Sequence, residues 1–141
     1  LYSSGSGDLA TELLANKNDI SFESMRQAGA TTLWENWNGE ASHSHPMFGA
    51  STEFLFEEIL GIKQAENSVC YDETIISPTF ARCLDFAKGK ITTPHGVISV
   101  SWARDGEKIR VNIELCDGIR AIFKNNGQIF PLHLGSNELV F

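Results

Sequence analysis

Nothing in this 141-residue chain approaches the run of about eighteen apolar residues that a bilayer-spanning helix needs, so no membrane partner is expected. The opening stretch LYSSGSGDLATELL carries neither a charged n-region nor an apolar h-region of a secretory leader. It also lacks an initiating methionine, and a start at Leu1 is expected of a piece of a longer chain. Cysteine is scarce: Cys70, Cys83 and Cys116 are odd in number, far apart and without a CxxC, which excludes a disulfide framework and a zinc ribbon and leaves cytoplasm and periplasm both open. Positive charge is short as well. Eleven Lys and Arg stand against eighteen Asp and Glu, a net charge of -7, with no basic cluster. Nucleic-acid affinity comes mostly from neutralised phosphates and released counterions, so nucleic acid is not an expected partner.

What remains is a globular composition, 42% hydrophobic and 21% charged. The length suits one domain, or a small domain with part of another. Periodicity divides the chain near residue 62, with helices before and strands after. Leu9, Ala10, Leu13 and Leu14 repeat at helical spacing behind Asp8, whose charge suits a helix N-terminus. A second helix is predicted over SFESMRQAG, with Ser21 as N-cap, Phe22 and Met25 on one face and Gly29 just past the end. A third runs from about Phe48 to Leu60, its stripe formed by Phe48, Thr52, Leu55, Phe56, Ile59 and Leu60, with Gly61 as terminator. Three amphipathic helices in about sixty residues have more apolar face than they can bury against one another, so they need partners.

The second half alternates. Ile98, Val100 and Trp102 interleave with serines, Asp105-Gly106 turns the chain, and Ile109, Val111, Ile113 and Leu115 resume the pattern. GIRAIFKNNGQIFPLHL repeats the hairpin around Asn126-Gly127, and ETIISPTF and NELVF supply further strands. The expectation is an antiparallel sandwich with Trp102 in its core. His95 and His133 read as structural.

Between the second and third helices lies GATTLWENWNGEASHSHPMFG. A lone loop glutamate is normally a solvated one, but Glu35 stands between Trp34 and Trp37. Aromatic faces can lower the local dielectric around a carboxylate and pack against the C–H surface of a sugar. A large aromatic is otherwise more often core than platform. His43 and His45, two apart, fall on one side of an extended chain. Zinc needs three or four ligands and no partner is visible, so neither metal nor cofactor is expected, and a histidine that bonds a hydroxyl or orients a carboxylate fits better. No GxSxG occurs, and the cysteines lie far from the SHSH stretch, which sets a nucleophilic triad aside.

GATTLWENWNG, then SHSHPMFGASTEFLFEEILGI, then TPHGVISVSW with its hairpin, resembles the C-terminal end of bacterial α-L-rhamnosidases of glycoside hydrolase family seventy-eight, over nearly the whole chain. The resemblance implies an α + β protein in two parts. Residues 1–62 would be the last helices of an (α/α)6 catalytic barrel, and residues 63–141 an antiparallel C-terminal β-sandwich. It implies further that Glu35 matches the family's general base, which activates water with inversion at the anomeric carbon. His45 would match the histidine that contacts rhamnose, and Trp34 and Trp37 aromatics around the sugar. The chain departs from the family just ahead of that histidine, where His43 and Ser44 replace a longer side chain and an asparagine. The partner general acid lies upstream in the family, outside these residues, so the isolated chain should be inactive. The expected partners are a rhamnose-containing carbohydrate and the remainder of the barrel. Two other classes stand beside this reading: a non-catalytic carbohydrate-binding or structural sandwich with a helical adaptor, and an acidic interaction domain docking through its helix faces. Exposed helix faces would also drive self-association.

Overall fold

Asp8 lies in the first turn of helix α1 (Gly7–Ala15), as its charge suggests. The computed structural model describes residues 7–18 and 20–141. Two compact units are distinguished, Leu1–Glu53 with Ala81–Cys83, and Phe54–Phe80 with Leu84–Phe141. In the first, α1 buries Gly7 and Thr11, while Leu9 and Leu13 of the apolar repeat stay about half exposed. The Asp8 carboxylate accepts hydrogen bonds from the Arg82 backbone N–H at 2.9 Å and pairs with its guanidinium at 3.0 Å. Helix α2 (Phe22–Gln27) begins as its sequence dictates: the Ser21 hydroxyl accepts from the Ser24 N–H, and the Ser24 hydroxyl accepts from the Ser21 N–H, both at 3.0 Å. Gly29, at φ +93°, takes the left-handed position after the helix.

The third helix differs from expectation. Instead of one α-helical stretch, the chain forms a 3₁₀ turn (Pro46–Gly49), a single α turn, helix α3 (Ala50–Phe54), and a π turn (Leu55–Ile59) closed by Leu60 N–H to Leu55 C=O at 3.1 Å. Each change of pitch rotates the following side chains, so the predicted stripe is broken: Ile59 and Leu60 are buried while Phe48, Thr52 and Leu55 are exposed.

In the second unit eight strands make two four-stranded sheets. Strands β1 (Ile62–Gln64), β2 (Glu73–Ile76), β6 (Arg120–Asn125) and β7 (Gln128–Pro131) form one, in the order β1-β2-β6-β7. Strands β3 (Phe86–Thr93), β4 (Gly96–Asp105), β5 (Lys108–Leu115) and β8 (Gly135–Val140) form the other, in the order β3-β4-β5-β8. Alternation holds: Ile98, Val100, Trp102, Val111, Ile113 and Leu115 are buried, and Phe123 of β6 stacks on Phe141 with centroids 5.3 Å apart. Asn126 and Gly127 both take positive φ, 47° and 77°, as a two-residue type I′ hairpin turn demands.

The expected all-antiparallel sandwich is corrected at one pair, since β2 and β6 run parallel with Glu73 opposite Arg120. The short ETII run carries no sign of direction. It is set by the path: the chain leaves β2, builds β3 to β5 in the other sheet, and re-enters beside β2 from the same end. Strands β1 and β3 were not anticipated.

The end of the π turn is anchored by its carbonyls, which a helix terminus leaves without intrahelical donors. Glu58 C=O accepts from Thr79 N–H at 2.7 Å, Ile59 C=O from the Trp102 indole at 2.8 Å, and Gly61 C=O from Ser77 N–H at 2.8 Å. The Trp102 ring is 1% exposed and meets Phe80 edge-on. Gly61 has φ +75°, and a Cβ there would lie 2.1 Å from the Pro78 nitrogen. Both facts penalise a side chain. Gly61→Ala is therefore expected to cost more than the roughly 1–2 kcal/mol of a left-handed backbone alone, read as a lowered urea midpoint; a midpoint equal to wild type would show that this approach is not needed.

Candidate functional site

Helix α2 ends against the loop it precedes. The Ala30 N–H reaches back to Met25 C=O at 3.2 Å, and the Met25 side chain, buried, has its sulfur 3.4 Å from the Trp34 N–H. From there the loop doubles back on itself. Glu35 N–H donates to Ser42 C=O and His45 N–H to Leu33 C=O, both at 2.8 Å, and the Thr32 hydroxyl donates to His43 C=O. Two steps on one arm, from Leu33 to Glu35, face three on the other, from Ser42 to His45. The extra residue is a bulge in an irregular ribbon. Its tip turns through Gly39 and Ala41, both at positive φ, with Gly39 N–H on Asn36 C=O at 3.0 Å and Glu40 N–H on the Asn38 side chain at 3.1 Å.

This folding places Glu35 and His45 together. Glu35 Oε2 accepts the Ser42 N–H at 3.2 Å and lies 3.9 Å from His45 Nδ1. The latter separation must close by about 0.7 Å to become a hydrogen bond. The Glu35 side chain is 43% exposed, and His45 Nδ1 is buried with no hydrogen-bond partner among the described residues. A carboxylate held by one backbone donor keeps lone pairs to accept a proton from water or a hydroxyl. The ring of His45 stacks on Phe48, centroids 5.6 Å apart.

The other aromatic residues take separate partners. Trp34 stacks on His43 at 4.8 Å and 22°, and Trp37 meets Phe22 edge-on at 5.5 Å. Thus His43 and His45, read as lying on one side of an extended chain, address different rings, the bulge between them having broken the period of two. His43 Nε2 also lies 2.7 Å from Gly39 C=O. Two clefts of this unit flank the loop. One, of about 480 Å³, is lined by Lys17, Asn18, Ile20, Ser24, Trp37 and Asn38; the other, of about 270 Å³, by residues of α2 and the loop from Phe22 to Leu33. Glu35 and His45 line neither. Among the described residues no group of three His, Cys, Asp or Glu is placed to hold a metal ion.

Sequence reasoning missed Ser42 as the donor to Glu35, Met25 as the support under Trp34, and His43 as a stacking partner. No pattern in the sequence marks these three; in the structure Gly39 lies under the same indole, where a Cβ would meet the Trp34 ring at 3.0 Å.

On α2, Arg26 forks onto Glu23 with two 2.7 Å hydrogen bonds, and Gln27 adds a third at 3.1 Å. Hydrogen bonding to Arg26, aided by Gln27, holds the Glu23 carboxyl at about 2, against an ordinary value of 4.5. A depressed folded value means a contribution to stability that is complete above 4.5 and is lost as pH falls toward about 2. Carboxyl NMR should place the Glu23 midpoint near 2; Arg26→Ala should return it toward the ordinary range, and an unmoved midpoint in that variant would refute the cause.

In comparison with known proteins the chain matches two family models in succession along its length. Residues 1–59 match the model of the bacterial alpha-L-rhamnosidase 6 hairpin glycosidase domain, and residues 61–123 that of the bacterial alpha-L-rhamnosidase C-terminal domain. The chain is 34% identical to an alpha-L-rhamnosidase of Alteromonas sp. (strain LOR) over 87% of its own length, and 29% identical to one of Formosa agariphila over 80%. It spans 14% and 13% of those two curated relatives. Among solved structures, the alpha-L-rhamnosidase of Streptomyces avermitilis complexed with L-rhamnose superposes with a TM-score of 0.87 at 19% identity, over 100% of this chain and 16% of that one. Native alpha-L-rhamnosidase from Aspergillus terreus gives 0.88 at 23%, over 99% and 18%. At these identities the likeness establishes the fold.

Proposed function

The chain belongs to the bacterial α-L-rhamnosidase family, to whose C-terminal part it corresponds, and from that premise we propose that it supplies the general base of an inverting glycoside hydrolase acting on terminal α-L-rhamnose. Glu35 takes a proton from the water that attacks the anomeric carbon. His45 contacts the sugar, and Trp34 and Trp37 shape its surroundings. The observation that carries this reading is the carboxylate itself: solvent-facing, held by the Ser42 N–H, and 3.9 Å from a histidine ring nitrogen that has no hydrogen-bond partner among the described residues. The curated relatives, named alpha-L-rhamnosidase, support the sugar class.

Inversion needs a second carboxyl about 6.5–9.5 Å away, leaving room for the water. That general acid lies in the remainder of the enzyme, and the chain alone is inactive. Residues 1–62 act as the closing part of an (α/α)6 barrel. The exposure of Leu9, Leu13, Met47 and Phe48 supports this, because apolar stripes of this kind are covered by neighbouring helices. Residues 63–141 act as the C-terminal β-sandwich domain. A sugar-stacking role for the sandwich finds little support, since its one tryptophan, Trp102, is buried in the core.

The test uses the whole enzyme, wild type beside Glu35→Gln, on an aryl α-L-rhamnoside, with the released anomer followed by NMR. Loss of a general base is expected to lower kcat by roughly 10²–10⁴, and the wild type should release the inverted anomer first. An undiminished Glu35→Gln rate rules out the assignment, and a retained anomer rules out the mechanism.

A further inference from the structure

His43 has three contacts that no role in sugar binding requires. Its ring lies nearly flat on Trp34, its Nε2 is 2.7 Å from Gly39 C=O, and its own carbonyl accepts from the Thr32 hydroxyl. Together these span the loop. Trp34 and His43 are the residues directly before Glu35 and directly after Ser42, the two residues that grip each other twice, through Glu35 N–H to Ser42 C=O and Ser42 N–H to Glu35 Oε2. Gly39 at the tip is drawn under the same indole, where a Cβ would meet the ring at 3.0 Å.

We infer that His43 is a positioning residue, which sets the carboxylate of Glu35 by clamping the loop from its tip to its base. The inference rests on the general-base reading of Glu35. With a proton on Nε2 the ring donates to Gly39 C=O and leaves its face for Trp34, so one side chain ties the tip of the loop to its base. Ser42 is then held between a pinned neighbour and the backbone of Glu35. Without the clamp the exposed tip retains only its local turn bonds, the Ser42 N–H is no longer fixed in direction, and the carboxylate samples orientations that face away from the attacked carbon. Substrate binding, in which Trp34 is one of several groups, is affected less than the chemical step. The fault appears in the chemical step, where small misplacements of a reacting group are costly.

His43 is exposed, so its replacement should not unfold the protein. In the whole enzyme, His43→Ala, His43→Phe and Glu35→Gln are compared with wild type for kcat and KM on an aryl α-L-rhamnoside, with near-ultraviolet circular dichroism to follow the tryptophans. Expected for His43→Ala is a fall in kcat of about 10- to 100-fold, a KM within about three-fold of wild type, and a changed tryptophan signal. His43→Phe, which keeps the stack at the base and loses the Gly39 bond at the tip, should recover only part of both. An unchanged kcat in His43→Ala beside an inactive Glu35→Gln overturns this inference alone. A loss in His43→Ala confined to KM, or a His43→Phe that is either as impaired as His43→Ala or as active as wild type, overturns it too. A fully active Glu35→Gln removes the general-base reading and this inference with it.

Discussion

Three backbone carbonyls at the end of a short helical run set the frame of the second unit. A helix terminus leaves its last carbonyls without donors, and burying them unpaired would cost about 1–3 kcal/mol each. Here Glu58, Ile59 and Gly61 hand theirs to Thr79, Trp102 and Ser77. The Trp102 indole has one polar atom, and its donation to Ile59 lets a side chain of that size sit in the core of the β3-β4-β5-β8 sheet with nothing left unpaired. The left-handed Gly61 follows from the same geometry, because the chain must turn from the π turn into β1 while its backbone lies against Ser77 and Pro78. The widened π turn is itself of a kind that collects at functional sites, and it directly continues the segment that opens with His45 and Pro46.

The loop that carries Glu35 solves a different problem. It has no regular strand or helix to order it between residues 30 and 45, and most of its residues are exposed. Order comes from backbone bonds between its two arms and from pairing each aromatic ring with another, Trp34 with His43, Trp37 with Phe22, His45 with Phe48. The aromatics are thus the scaffold of the loop as much as a surface for a ligand, which is why so many occur in so few residues.

The strands from Ile98 to Leu115 were legible because a period of two is a short-range fact, and the two-residue turn at Asn126-Gly127 was legible for the same reason; the turn expected at Asp105-Gly106 falls one residue later, at Gly106 and Glu107, because Asp105 pairs with Lys108. The capping serine of α2 was also readable, though the partner hydroxyl at its third position comes from Ser24 in place of the commoner Glu or Gln. The third helix misled because its sequence carries a helical period that cannot register changes of pitch, and those changes are fixed by contacts with Thr79 and Trp102, twenty and more residues away. The direction of β2 was hidden for a similar reason. In the loop, residue types and the nearness of Glu35 to His45 in sequence suggested a site, but the separate partners of His43 and His45 depend on one inserted residue, which no pattern of side chains announces.

The parallel pairing of β2 with β6 bears on how this chain comes together in time. Thr74 and Ile76 are buried beside Ala121 and Phe123, residues that a ribosome adds more than forty positions later. Until then β2 has only the three-residue β1 beside it, and its other edge offers unpaired amide and carbonyl groups to any passing strand. The hairpin of β4 and β5, local in sequence, is complete well before. The order of assembly is therefore written into the topology: the β3-β4-β5 meander forms from neighbours in sequence, β2 waits for β6, and β8 completes the second sheet last, so the interval before β6 arrives is the period in which the edge of β2 is most exposed to mispairing.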